Sequence, residues 1–280
     1  MTHRGLAPDG TIAREGALDR VPPLFAPVIE AARTLIATTF GPPGGPLPDR
    51  PGRPPRLHSA YLYGSIPRGT ALLGVSDLDL QLALHHEPTE TDRADARALE
   101  KALDDAFPQI DGVGILLTSR ATLLSDLERH DLGFFVACLC TPLLGPDLAR
   151  DLPRYRPTTE LARETNGDLA LLLPRWRARA ADAATDTARR TLCRAVARRL
   201  VRTGFTLVMP RWNGWTSDLT DSATIFGDHY PARAPQMRTA ATLARTPSPD
   251  PAALDPLLED LAPWLAAEYA TVHGTKTPRP

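Results

Sequence analysis

Asp77 and Asp79 stand two residues apart in a segment where Leu78, Leu80, Leu82 and Leu84 alternate with Asp77, Asp79, Gln81 and Ala83. A period of two is the pattern of a half-buried β-strand, so both carboxylates project from one face. Held close together they repel and resist joint ionisation unless a cation sits between them. Hard divalent ions such as Mg²⁺ are bound by one or two carboxylates plus substrate phosphates, and a metal therefore explains the pair. The competing reading is a solvated strand face that carries acids, since an isolated Asp-x-Asp is common by chance. The segment upstream favours the metal. There an apolar run, Ala60 to Tyr63, leads into Gly64-Ser65 and then Arg68-Gly69-Thr70. Glycine lets a backbone approach a ligand closely, and N–H groups at the start of a following helix form an anion site. Gly64, Ser65 and Arg68 thus describe a phosphate cradle that faces a metal site.

The whole segment LYGSIPRGTALLGVSDLDLQLAL resembles the signature of the DNA polymerase beta superfamily of nucleotidyltransferases, a Gly-Ser turn, a spacer and an Asp-x-Asp strand. The resemblance implies that Gly64 and Ser65 hold the phosphates of a nucleoside triphosphate and that Asp77 and Asp79 hold Mg²⁺. That superfamily usually adds a third carboxylate on a later strand. Here the strand Val113 to Thr118 has the interior Val-Gly-Ile-Leu-Leu, which contains no acid. Asp111, just before Gly112, is the acid best placed to reach the same edge and serve as general base; an Asp-Gly turn residue is the alternative reading of it.

A second set of charges lies further on. Asp182, Asp186, Arg190, Arg194, Arg198 and Arg202 fall four apart and would form one stripe on a continuous helix. Like charges at that spacing cost a few tenths of a kcal/mol per pair, which suggests that Arg194 and Arg198 face anions such as a triphosphate. The alternative is a solvated face relieved by an Asp186 to Arg190 pair. The stretch RRLVRTGFTLVMPRWNGWTSDLTDSATIFGDHYPARAPQMRTAATLAR is similar in layout to the C-terminal helical domain of aminoglycoside adenylyltransferases. Asp218 stands where that family often has a lysine. Trp212, Trp215 and Asp218 could line an acceptor pocket for a polar, cationic small molecule. Trp215 could equally be core, and Thr216 is a candidate helix N-cap. The adjacent His85 and His86 point to opposite faces and read as surface residues. Ser125, Asp126 and His130 lack the context of a hydrolase nucleophile.

These side chains need a framework. Short apolar runs at 61–63, 78–84 and 113–118, with a helix over 90–107, indicate an α/β or α+β unit. Before them, apolar residues at helical spacing predict a helix over 23–39, followed by a proline- and glycine-rich stretch, 41–55, that forbids helix and ladder alike. Beyond residue 150 the pattern turns helical, at 159–173, 186–208, 216–226, 234–244 and 252–272. The expected fold is α+β. A small mixed-sheet domain over 58–150 is followed by an all-helical domain over 151–280, with 1–57 as an unassigned N-terminal helix and loop.

The chain has 280 residues, 42% hydrophobic and 23% charged, with a formal net charge of -1. Near-neutral charge weighs against long nucleic-acid contacts. No apolar stretch approaches the roughly 18 residues of a membrane span, and the start of the chain lacks a secretory apolar core, so a cytoplasmic protein is expected. Three cysteines, Cys138, Cys140 and Cys193, argue against a disulfide framework or a structural zinc site. The expected activity is Mg²⁺-dependent transfer of AMP from ATP to a hydroxyl of a small-molecule acceptor. A regulator or antitoxin that binds nucleotide or a protein partner without turnover is the alternative.

Overall fold

The computed structural model describes residues 4–41 and 55–279. Most of the proline- and glycine-rich stretch, 42–54, lies outside the described residues. The chain divides into two compact units, Ala13–Tyr155 and a second made of residues 1–12 with 156–280.

The first unit contains α1 (Ala26–Phe40), β1 (Leu57–Tyr63), α2 (Ser65–Arg68), β2 (Leu78–Leu84), α3 (Glu90–Ala106), β3 (Val113–Ser119), α4 (Arg120–Leu123) and β4 (Thr141–Leu144). The strands form one sheet in the order β3-β2-β1-β4. β1 runs antiparallel to β2 and β4, whereas β2 and β3 are parallel. Parallel neighbours need a crossover of a dozen residues or more, and α3 supplies it. The sheet is therefore mixed and the fold α+β.

Alternation decides the two faces. Leu78, Leu80, Leu82 and Leu84 join Leu57, Ala60 and Leu62 under α1 and α3 in the main core. The opposite face carries a smaller cluster of Tyr61, Ala83, Leu123, Val136, Cys140 and Leu148. Asp79 and Gln81 belong to that second face by phase.

Two features escaped the sequence reading. β4 contains Pro142, which cannot donate to a ladder, and the proline is tolerated because β4 is an edge strand. The apolar stretch before it is wound into two π-helical turns, Arg129–Gly133 and Phe135–Leu139. The first unit is also clamped by Arg56, which is buried. Its guanidinium donates to Asp92 at 2.6 Å, to Asp95 at 2.7 Å and to the Thr39 carbonyl at 2.6 Å. Asp92 completes a capping box with Thr89 at the start of α3.

The second unit is helical: α5 (Thr159–Asn166), α6 (Leu169–Asp182), α7 (Asp186–Trp212), α8 (Leu219–His229), α9 (Ala234–Arg245), α10 (Pro251–Pro256) and α11 (Ala262–His273). The single helix expected over 159–173 is broken at Gly167-Asp168. The one expected over 252–272 is interrupted by a π-helical turn at Leu257–Leu261, between Pro256 and Pro263. α7 is the central helix and buries Leu192, Val196, Leu200, Phe205 and Met209.

The described residues of the N-terminal stretch 1–57 divide between the two units. α1 is part of the first unit's core. Residues 4–12 belong with the helices, where Trp215 N–H donates to the Arg4 carbonyl at 2.8 Å and Arg4 donates to the Trp212 carbonyl at 2.7 Å. All three cysteines are buried and reduced. Burial pushes the Cys138 thiol up to about 12 and raises those of Cys140 and Cys193 as well. Among the described residues no helix is long and apolar enough to cross a membrane.

Candidate active site

Gly64 is the hinge of the candidate site. It ends β1, next to Tyr63, which pairs across the ladder with Asp79. Its φ of 83° and ψ of -153° lie in a region that only glycine visits without strain. A β-carbon placed on Gly64 would lie 2.5 Å from Asp79 Oδ2. The Gly-Ser turn and the second aspartate, far apart in sequence, are thus in direct apposition. On the other flank, the parallel register sets Gly114 of β3 opposite Asp79. β-Carbons at Gly112 and Gly114 would lie 3.8 Å from Asp77 Oδ1 and 3.6 Å from Asp79 Oδ1. A glycine thus approaches each carboxylate, and both acids are half-buried while Leu78 and Leu80 between and beside them are buried.

The donor set suits a hard divalent ion. Among the described residues no group of three or more His, Cys, Asp or Glu side chains comes together as a metal site. Two carboxylates on one face are what Mg²⁺ takes from a protein when phosphate oxygens and water complete its shell.

The remaining candidates of the first unit are placed as follows. Ser65 opens α2, but α2 is a single turn of four residues, too short for a developed helix dipole. Any anion there would rely on individual N–H groups. Arg68 ends α2 and has a counter-ion that the sequence did not reveal, Glu15, 3.7 Å away. Asp111 sits in the turn before β3, exposed, its N–H donating to the Ser76 carbonyl at 3.1 Å. On β3 itself the positions in phase with the acids are Gly114, Leu116 and Thr118. Leu116 is 46% exposed, and Thr118 Oγ1 accepts from Gln81 Nε2 at 3.1 Å. No carboxylate stands on that face of β3.

In the helical unit, Arg194 and Arg198 lie on α7, each half-buried, with no hydrogen bond or ion pair among the described residues. The stripe is shorter than expected, because α7 starts at Asp186 and Asp182 ends α6. Asp186 pairs with Arg189 at 3.1 Å rather than with Arg190, which donates to the Pro247 carbonyl at 2.9 Å.

Trp215 is only 9% exposed, with its ring edge-on to Phe205 at 5.6 Å. It packs as the core reading of its type expects. Asp218, not Thr216, caps α8; its carboxylate accepts from the N–H groups of Thr220 at 2.7 Å and Asp221 at 2.9 Å and pairs with Arg245 at 3.0 Å. Thr216 Oγ1 accepts from the Asp218 N–H in the preceding turn. A carboxylate so engaged has little left for an acceptor.

His85 and His86 are exposed, as expected for surface residues. Ser125 donates to the Thr122 carbonyl at 2.8 Å and Asp126 pairs with Arg129, so neither is arranged as part of a hydrolase triad.

No family model matches the chain, and no curated protein matches it significantly in sequence. Among solved structures the chain is similar to a spectinomycin adenyltransferase from Enterococcus faecialis, crystallised with ATP and spectinomycin. The identity is 13% and the TM-score 0.48, over 87% of this chain and 98% of that one.

Proposed function

We propose that this protein is a nucleotidyltransferase that moves a nucleotidyl group, AMP from ATP, to a hydroxyl of a small-molecule acceptor. The apposition of Gly64 and Asp79, with a virtual β-carbon 2.5 Å from the carboxylate oxygen, carries the proposal. It supports a site where phosphates lie against open backbone while two acids lie beside them. Asp77 and Asp79 would hold Mg²⁺, which when bound neutralises phosphate charge and assists in-line displacement. The Gly64-Ser65 backbone and Arg68 orient the triphosphate. The acceptor oxygen forms its bond to the α-phosphorus as the bond to the bridging oxygen breaks. Pyrophosphate leaves, and the hydroxyl proton passes to Asp111 or to solvent.

A second reading is favoured by one observation. The acids' face of β3 carries Gly114, Leu116 and Thr118 and no carboxylate. Such a site suits a regulator that binds nucleotide, or a protein partner, without turnover.

Thermal shifts with each nucleoside triphosphate, with and without Mg²⁺, test the site on wild type and on Asp77→Asn/Asp79→Asn. A metal-dependent shift in wild type that vanishes in the variant is expected. Its absence with every nucleotide overturns both nucleotide readings. Pyrophosphate release in the presence of a broad acceptor pool then separates transferase from regulator.

A further inference from the structure

The stretch from Arg14 to Arg20 had no role in the sequence reading, yet it lies along α2. Arg14 donates to both oxygens of Asp147 at 2.8 and 3.1 Å and to the Ala137 carbonyl at 3.1 Å. Glu15 N–H donates to the Cys138 carbonyl at 2.9 Å, while its own carbonyl accepts from Arg20 at 3.0 Å. Ala17 N–H donates to the Pro67 carbonyl at 2.9 Å, inside α2 itself. Gly69, with φ of 76°, caps α2 so close to this strap that a β-carbon would lie 2.9 Å from the Arg20 carbonyl. The backbone on each side of Glu15 is therefore fixed to the first unit.

From that fixed backbone the Glu15 carboxylate, 15% exposed, reaches Arg68 Nη1 at 3.7 Å. The arrangement is that of an ion pair longer than a hydrogen bond. Arg68 is 29% exposed, and its buried Nε has no hydrogen-bond partner. The Arg68 side chain thus leans against an anchored acid at a distance that leaves its Nη donors without a short bond to it. Ser65 and Arg68 are three residues apart on α2, so they share a side of that turn.

We infer that Glu15 is a positioning residue: it holds the Arg68 guanidinium in place so that the remaining N–H groups are presented to the polyphosphate of a nucleoside triphosphate. The inference rests on the nucleotide reading of the Gly64, Asp77 and Asp79 site. The N-terminal strap is in this view a working part of that site. Pre-setting a flexible cation lowers the ordering cost of binding.

Calorimetric titration of MgATP tests it on wild type, Asp77→Asn/Asp79→Asn, Glu15→Gln, Arg68→Gln and the Glu15→Gln/Arg68→Gln double variant. Glu15→Gln and Arg68→Gln should each weaken binding about fivefold, and the double variant should bind no more weakly than Arg68→Gln alone, as coupled neighbours do. Glu15→Asp should restore part of the loss, which a purely structural role for the side chain would not require. Unchanged affinity in Glu15→Gln overturns the inference, as do additive losses in the double variant. Should Glu15→Gln not fold, Glu15→Asp decides: binding weaker than wild type there supports the inference, and wild-type affinity overturns it. A wild type that binds no nucleotide marks failure of the underlying site reading instead, and with it this inference.

Discussion

A methyl group at position 64 would meet Asp79 Oδ2 at 2.5 Å in a backbone conformation that L-residues avoid. Gly64→Ala should therefore cost about 1–3 kcal/mol of stability from backbone strain. It should also remove the metal-dependent nucleotide shift, because the carboxylate must move to make room. Urea denaturation and thermal shift read the two effects separately, and a variant with wild-type stability would show that the turn relaxes freely. This much of the site was legible because it is local in chemistry: two acids in strand phase and a glycine before a hydroxyl residue carry their meaning in the sequence. Arg68 was only half legible. Its type marked it as an anion ligand, but the acid that faces it comes from the far N-terminus, and no spacing rule links the two. Trp215 and Asp218 show the opposite limit. Both types suit a polar pocket, but Phe205 and the α8 N–H groups had the stronger claim on them.

At the level of elements, the α1–β1–α3 corner depends on Arg56. Its Nη atoms bridge the carbonyl end of α1 to Asp92 and Asp95 on α3, and its guanidinium lies over the Phe40 ring at 4.7 Å. Asp92 is 1% exposed. Burial alone would raise its carboxyl, but hydrogen bonds from Thr89 and the charge of Arg56 outweigh burial and hold it below the usual carboxylate range. Asp92→Asn should cost about 1.5–3 kcal/mol at neutral pH, since it removes one of the two carboxylates that pair with the buried guanidinium. A carboxyl lowered by folding adds stability above its unfolded value, and that stability is lost as pH falls through the folded one. The gap between wild type and variant should thus stay constant near neutrality and close only below about pH 4, where an unfolded aspartate takes up its proton. Denaturation midpoints over a pH series check this; a gap that closes nearer pH 6 would assign the effect to another group. β2 could be read from alternation and β3 as a short apolar run. β4 could not, because Pro142 reads as a breaker and only its place at the sheet edge excuses it. The α10 to α11 stretch read as one helix because periodicity survives a π-helical turn.

Across the whole molecule, residues 4–20 serve both units, which composition could not show: 4–12 pack on the helices and 14–20 on the sheet unit. Replacing Arg4 by alanine removes its side-chain hydrogen bond to the Trp212 carbonyl and its stacking over the Trp212 ring at 5.5 Å. The loss should be about 1–2 kcal/mol, roughly 1 kcal/mol for the hydrogen bond and up to about 1 for the cation–π contact, a fall of about 2–8 °C in melting temperature. All four tryptophans belong to the helical unit, so their emission should shift to the red in the same variant. An unchanged spectrum would show that the indoles are covered without Arg4. The buried cysteines extend this partition. Thiolate is the reactive form, and burial raises every one of these thiols, so the folded protein should be nearly inert to alkylating reagents. Two of the thiols, Cys138 and Cys140, reside in the sheet unit and one, Cys193, in the helical unit. The chain thus carries its own clock for opening: a mass gain of two adducts ahead of the third marks the sheet unit as first to open, and a single early adduct marks the helices.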